Sequence, residues 1–409
     1  MGETHYGLQD TRDRQCDNRD SIPTRQKGEL MSLITHPDAP YMATLSTIIQ
    51  KVVAPAADSI DQQARFPRAA MQAMGEAGLL GLISAREVGG MGEGHRAAVA
   101  VVEQLARVCM STAMVTCMHY CATAAIEAPG RREVREAIAA GRHLSTLAFS
   151  ETGSRSHFWA PVGTASHQDG KIVLNGAKSW VTSAGEADSY VWSSQPAQAE
   201  GASTLWLVDS HLSGLTVAGA FDGLGLRGNA SSPTKAEGVV IAEADRLGAD
   251  GSGFALMMGV IVPYFNLMTA AVGIGNMQGA VDKAVQHVSA TRFSHLGQSV
   301  ADLPTVRAYL ARMRVKADMV NALLLDSLNA LEQGREDTLL RLLEVKAAAG
   351  ETATEVTDLA MRVCGGAAFR KEGGVERNFR DARAGTVMAP TTDVLYDFIG
   401  KAICGMPVF

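Results

Sequence analysis

Lys171-Ile-Val-Leu-Asn175-Gly-Ala-Lys-Ser-Trp180-Val-Thr-Ser183 follows an Asp169-Gly170 pair and carries a second turn pair, Asn175-Gly176, inside it. Short β-branched and apolar runs bounded by such pairs read as antiparallel strands joined by tight turns. The same texture continues through Tyr190-Val-Trp192 and Thr204-Leu-Trp-Leu-Val208, and all four tryptophans of the chain lie in this stretch. The spacing predicts a sandwich or barrel of antiparallel strands between about Ser145 and Gly248.

On both sides of that block the periodicity changes to helical. Leu45, Ile48, Ile49 and Val52, then Met71, Met74, Leu79 and Leu80, recur at helix spacing, with Pro37, Pro55 and Pro67 placed where helices would start or stop. Gly89, Gly90, Gly92 and Gly94 mark an open loop before a helix from Ala97 to Cys109, and a further helix carries Met114, Cys117, Met118 and Cys121 on one face. After the block, the longest helical pattern runs from Val306 through Leu310, Met313, Ala317, Val320 and Leu324 to Leu328. The order helices, strands, helices, without a Gly-x-Gly-x-x-Gly entering a helix, excludes a Rossmann unit. We expect an α+β multidomain chain: a leader over 1–30, an all-α domain over 31–145, a β domain over 146–250 and a helical bundle over 251–409.

Composition narrows the partners. A balance of 37 Lys+Arg against 43 Asp+Glu gives a net charge of −6, without the basic excess that would hold a phosphate backbone, so nucleic acid is not expected. The polar stretch from Met1 to about Gly28 has no apolar segment of the secretory kind and reads as a disordered leader. The apolar run from Phe254 to about Gly279 is broken by Pro263, Asn266 and Asn276 and suits a buried helix better than a membrane span. Six cysteines set mostly in apolar runs fit reduced thiols and a cytoplasmic location.

Three blocks then carry a resemblance to the acyl-CoA dehydrogenase family of flavoproteins. In the first, Val53-Ala-Pro-Ala-Ala57, Phe66-Pro67, Gly75-Glu-Ala-Gly-Leu-Leu-Gly-Leu82 and Glu87-Val-Gly-Gly-Met-Gly92 resemble its N-terminal helical signature. In the second, Phe149-Ser-Glu-Thr-Gly-Ser-Arg-Ser-His157 and Asn175-Gly-Ala-Lys-Ser-Trp-Val-Thr-Ser183 resemble its Thr-Glu-Pro-Gly-Ala-Gly-Ser-Asp loop and Gly-x-Lys-x-Trp-Ile-Thr-Asn strand. In the third, Cys364-Gly-Gly366, Val375-Glu-Arg377, Arg380-Asp-Ala-Arg383 and Thr391 resemble its C-terminal run.

The resemblance implies an N-terminal helical domain, a middle antiparallel β-barrel or sandwich and a C-terminal four-helix bundle, with FAD as cofactor. It places Trp180 against the flavin ring, Thr182 near its N5, and Ser150, Ser156 and the Phe149 backbone at its polar edge. It assigns Arg292, Arg362, Gly365, Gly366, Thr391 and Asp393 to the remainder of the cofactor, some reaching it from a neighbouring subunit, which implies a homodimer or homotetramer. Arg362 has a surface salt bridge as its plain alternative, and Asp393 a helix-capping role.

The chain departs from the family where the substrate would sit. The catalytic Glu near the C-terminus is matched by Ala389, and the alternative Glu of a minority branch by Phe265; Asn266 stands for an Arg that serves the thioester, and His157 for an Asp. A helix with His119 and Tyr120 is expected to line the pocket together with Phe265, Asn266, His157, Met388 and Ala389. His119 is the one candidate proton donor, although a histidine on an apolar face is more often structural. Loss of a carboxylate base with retention of the flavin positions points first to a monooxygenase of a small or natural-product-like substrate using reduced flavin and oxygen, served by a flavin reductase or an electron-transfer flavoprotein. The alternatives are a CoA or acyl-carrier-protein thioester dehydrogenase or elimination enzyme with a non-standard base, and a catalytically silent flavin-binding module. No metal site is expected: Cys117 and Cys121 lack further ligands at suitable spacing.

Overall fold

The computed structural model describes residues 39–154, 156–295 and 297–409; the leader predicted for Met1 to Gly28 lies outside them. Helices Pro40–Ile48, Ala54–Gln62, Arg68–Glu76, His95–Val108, Met110–Glu127 and Arg132–Ala139 come first. Pro55 lies in the first turn of Ala54–Gln62, where its position suggested a helix start. The backbone keeps right-handed helical angles into it through a wider turn, Ile49–Val53, just before the proline.

Strands between Ser145 and Leu247 form two four-stranded sheets. Strand β1 (Ser145–Ala148) is followed by β2 (Thr164–Gln168), β3 (Lys171–Val181), β4 (Ser189–Ser194), β5 (Thr204–Asp209), β6 (Leu215–Val217), β7 (Ser232–Ile241) and β8 (Arg246–Leu247). Their orders are β1-β4-β5-β8 and β2-β3-β7-β6. One pairing departs from the antiparallel expectation, since β1 runs parallel to β4 in register Ser145–Ser189 to Ala148–Trp192. Asp169 and Gly170 both take positive φ, as a tight hairpin between β2 and β3 requires. Asn175-Gly176, however, is not a turn. It lies within β3, where the pairing with β7 shifts register between Leu174 and Gly176, and the Asn175 side chain accepts the Gly238 N–H at 2.8 Å. Ile172, Leu174, Val181, Tyr190, Trp192, Trp206 and Val208 fill a core of their own.

The C-terminal part holds three long helices, Val262–Ala290, Pro304–Gln333 and Thr338–Cys364, and a shorter fourth, Thr392–Ile403. The apolar run anticipated as a buried helix begins at Gly253. The span Gly253–Ala290 is long and apolar enough to cross a membrane, yet 56% of its most apolar window is buried inside the protein. Close packing explains its small residues: a Cβ on Gly275 or Gly279 would collide with the carbonyls of Glu103 and Arg107. This helix is thereby joined to His95–Val108 on one side and to Thr338–Cys364 on another.

Candidate active site

The end of β1 and the outer half of β3 are built as one surface. The Ser179 N–H donates to Ser150 O at 2.8 Å, and the Thr152 and Ser179 hydroxyls meet at 3.1 Å, so the loop after β1 is tied to the strand that carries Trp180 and Thr182. Beneath it Lys178 is fully enclosed. Its Nζ donates to Glu151 Oε1 at 2.7 Å, to Ser193 O at 2.7 Å and to Ser193 Oγ at 2.8 Å, while Glu151 also accepts the N–H groups of Val162 and Gly163. Burial pushes the Lys178 ammonium down and the Glu151 carboxylate opposes that shift. Neither residue was assigned a role from the sequence; a Lys in a β-strand beside the Ser150 loop motif was the available signal.

Above this buttress Trp180 is 65% exposed, with Phe221 set edge-on to its ring, centroids 6.4 Å apart. An exposed tryptophan near the end of a strand offers a flat apolar face to a ligand. Thr182 is buried beside it and its hydroxyl shares a hydrogen bond with Ser231 at 3.1 Å. Phe149, Ser150, Ser156, Trp180 and Thr182 thus come from the joined loop and strand, and an aromatic wall with hydroxyl donors fits a flavin ring. Arg292, Gly365 and Gly366 lie exposed at helix ends of the C-terminal part, and nothing stands within 4 Å of a Cβ placed on either glycine. Arg362 is held within the chain, donating to the Tyr309 hydroxyl at 2.8 Å and lying over its ring. Thr391 precedes the last helix, and Asp393 is exposed in its first turn.

The substrate-side expectations fare differently. His119 is fully buried, and the Ser145 N–H donates to Nδ1 at 3.2 Å, which leaves Nε2 to donate to Leu80 O at 3.0 Å. Both nitrogens are spent on backbone, and burial pushes the imidazole down to about 4, so it is a neutral cross-link between the helix, the segment at Leu80 and β1. Tyr120 is likewise buried, its hydroxyl donating to Leu79 O at 2.6 Å. Most side chains of the helix Met110–Glu127 that carries both are buried. His157 turns outward, exposed, with its ring near Trp159. Asn266 is buried with its amide nitrogen donating to Leu342 O at 3.1 Å, while its Oδ1 has no hydrogen-bond partner among the described residues.

Ala389 and Met388 are half-buried on the turn after Ala384–Val387. The group that meets this turn is one that sequence reasoning missed. Lys346, from the middle of Thr338–Cys364, is 3% exposed and donates to Met388 O at 3.0 Å and to Pro390 O at 2.6 Å, the carbonyls on either side of Ala389. Its Nζ also lies over the Phe265 ring, 5.8 Å from the centroid. Burial alone pushes this amine down to about 7, with no charged group offsetting it. A cavity of about 20 Å³ adjoins it, lined among others by Met110, Met114, Thr269, Gly350 and Met388. A lysine in an otherwise apolar helix face, Val345-Lys-Ala-Ala-Ala349, was the signal.

The chain is similar to known proteins along most of its length. Family models described as the N-terminal, middle and C-terminal domains of acyl-CoA dehydrogenase match residues 41–141, 146–239 and 251–404. The cyclohex-1-ene-1-carbonyl-CoA dehydrogenase of Geobacter metallireducens is 28% identical over 364 residues, covering 87% of this chain and 95% of that one. The mitochondrial short-chain specific acyl-CoA dehydrogenase of Sus scrofa is 27% identical, covering 86% of each. Among solved structures, butyryl-CoA dehydrogenase from Megasphaera elsdenii superposes with a TM-score of 0.82 at 20% identity, over 88% of this chain and 96% of that one.

Proposed function

This chain belongs to the acyl-CoA dehydrogenase family of flavin-dependent oxidoreductases, and from that premise we propose that it oxidises an apolar acyl thioester, on CoA or a carrier protein, at a site whose proton acceptor is not a carboxylate. The observation that carries this reading is the contrast between the two sides of the site. The flavin side keeps an exposed Trp180 on the Lys178–Glu151 buttress, while the turn at Ala389 meets an amine, Lys346, where a carboxylate base would be expected. Similarity to dehydrogenases of CoA thioesters supports the thioester class.

FAD fits the residues present. Trp180 would cover the ring, Thr182, Ser150 and the Phe149 backbone would meet its polar edge, and Thr391 would address the chain beyond it. The exposed Arg292, Gly365 and Gly366 would complete the FAD site of a second copy of the chain, which makes a homodimer the smallest active unit. Bound FAD supplies a two-electron acceptor. The protein's own work is to hold the thioester beside Met388, exclude water with the apolar side chains of Met110, Met114 and Val272, and manage one proton.

A second reading, oxygenation of a free small molecule with reduced flavin, is favoured by the same apolar lining and by the absence of any carboxylate among the residues around that cavity. One experiment separates them. Anaerobic addition of acyl-CoAs of graded chain length to the purified flavoprotein should bleach the flavin absorbance under the thioester reading. Silence toward all of them, with oxygen uptake only when reduced flavin is supplied, would replace it by the second. A protein that takes up no FAD would remove both.

A further inference from the structure

We propose that Phe409 closes this site: its ring fills the slot between Trp159, Phe254 and Phe398 through which the arm of an acyl thioester enters, and that arm displaces it. The identity of the arm rests on the thioester reading above; the closing itself rests on contacts within the chain.

Three stretches build the site: the loop after β1 with Ser150 and Ser156, the apolar helical run begun at Gly253 that carries Phe265, and the turn at Ala389 with the helix Thr392–Ile403 after it. Phe409 meets one ring from each. Its centroid lies 5.3 Å from that of Trp159 in the loop, 6.1 Å from that of Phe254 near the start of Gly253–Leu256 and 5.3 Å from that of Phe398 in the last helix, all three edge-on. The contacts lead on to the flavin side. Phe158 sets its edge to Trp159 at 5.2 Å and stacks at 6.5 Å on Phe149, whose backbone would meet the flavin edge. His157, expected beside the substrate, lies 5.1 Å from the same indole.

Residues 405–409 are built both to reach this slot and to leave it. Gly405 takes a φ of +69°, and the N–H groups of Gly405 and Met406 donate to Ala402 O at 3.2 Å and Lys401 O at 2.9 Å, which turns the chain back at the helix end. Beyond that turn the hold is slight. Pro407 has no N–H to give, and Val408 and Phe409 make no backbone–backbone hydrogen bond among the described residues. Phe409 is 44% exposed, whereas Trp159 and Phe398 beneath it are 9% and 3% exposed. A segment with few buried groups and no main-chain bonds opens locally without unfolding its neighbours. Opening is needed, because the cavity of about 20 Å³ beside Met388 has room for one water and none for an acyl chain. The long helices around it are fixed by close packing, as at Gly275 and Gly279, where even a Cβ would collide with the carbonyls of Glu103 and Arg107. Residues 406–409 are the piece that moves at least cost, and with Phe409 displaced three aromatic rings would line the path of a slender apolar arm.

The test uses the FAD-loaded protein with three variants: F409A, a chain lacking residues 406–409, and F409W, which keeps a ring in the slot. Without any substrate, quenching of the FAD emission by iodide should be at least about twofold steeper in the first two than in the natural protein, with F409W like the natural protein. Equal quenching in all four overturns the proposal, whatever the substrate. In anaerobic mixing with butyryl-CoA and octanoyl-CoA, F409A and the shortened chain should reach half their limiting bleaching rate at about one tenth of the natural protein's concentration, as follows where about a tenth of its molecules are open. Their limiting rate and thermal midpoint should change little. A ring that only packs would do the reverse: midpoint and limiting rate would fall while the half-saturating concentration stayed or rose, and that result also overturns the proposal. If neither the natural protein nor any variant bleaches, the thioester reading is removed, and the quenching still decides whether Phe409 closes the site.

Discussion

Lys178 and Glu151 form an ion pair at 2.7 Å in which the lysine is wholly enclosed and the carboxylate nearly so. The pair joins the strand of Trp180 to the loop of Ser150 from below. Removing one member of a buried pair strands the other, at a cost of about 3–5 kcal/mol. We therefore expect K178M to lower the unfolding free energy by that order and to release FAD, with K178M/E151Q less damaged than K178M alone. Urea unfolding with and without added FAD measures both effects; a double variant no better than K178M would show that the charge on Glu151 is not what the lysine offsets.

Trp180 gives the opposite pattern, because its ring is mostly exposed and the strand beneath it packs without it. W180A should change stability of the FAD-free protein by no more than about 0.5 kcal/mol, while the affinity for FAD falls tenfold or more as the aromatic wall is lost, by about 1.4 kcal/mol. Fluorescence titration with FAD reads the second number. Unaltered FAD binding would mean that the exposed ring serves another partner.

His119 was the sequence's candidate for acid–base work, and its surroundings now give it a structural one. Its imidazole titrates near 4 in the folded chain and at the ordinary 6.5 once unfolded. Between those values only the unfolded chain gains the proton, so stability is lost as pH falls from about 6.5 toward 4. H119A should remove this component of acid sensitivity, cost about 2 kcal/mol or more through the unpaired Leu80 O and Ser145 N–H, and leave the rate of flavin reduction per folded molecule intact. A reduction rate that drops while stability holds would return His119 to the reaction.

What could be read in the sequence followed period and motif. Alternation and turn pairs located the strands, and the Trp180 and Ser150 motifs found the surface that the structure joins. Asn175-Gly176 misled because a bulge and a turn ask for the same residues, and only pairing with Gly238 distinguishes them. The parallel β1–β4 pair was invisible because register between distant strands leaves no local trace. Lys346 was passed over for a similar reason. Its partners are carbonyls more than forty residues away, and backbone acceptors have no side-chain signature in a sequence.

The protonation state of Lys346 also governs stability. Its amine titrates near 7 when buried against the Met388 and Pro390 carbonyls and at the ordinary 10.5 when unfolded. Between these values the unfolded chain holds a proton that the folded chain has released, so this residue's contribution rises with pH across that window, by up to about 1.4 kcal/mol per pH unit. Below about 7 both states are protonated and the contribution is flat at its least favourable. K346M lacks the titration and leaves the two carbonyls unpaired, a cost that does not vary with pH. The difference in unfolding free energy between the natural protein and K346M should therefore move in favour of lysine as pH rises from about 7 toward 10. Urea midpoints taken across that range measure it, and a difference that stays constant would show that Lys346 remains an ammonium in the folded protein.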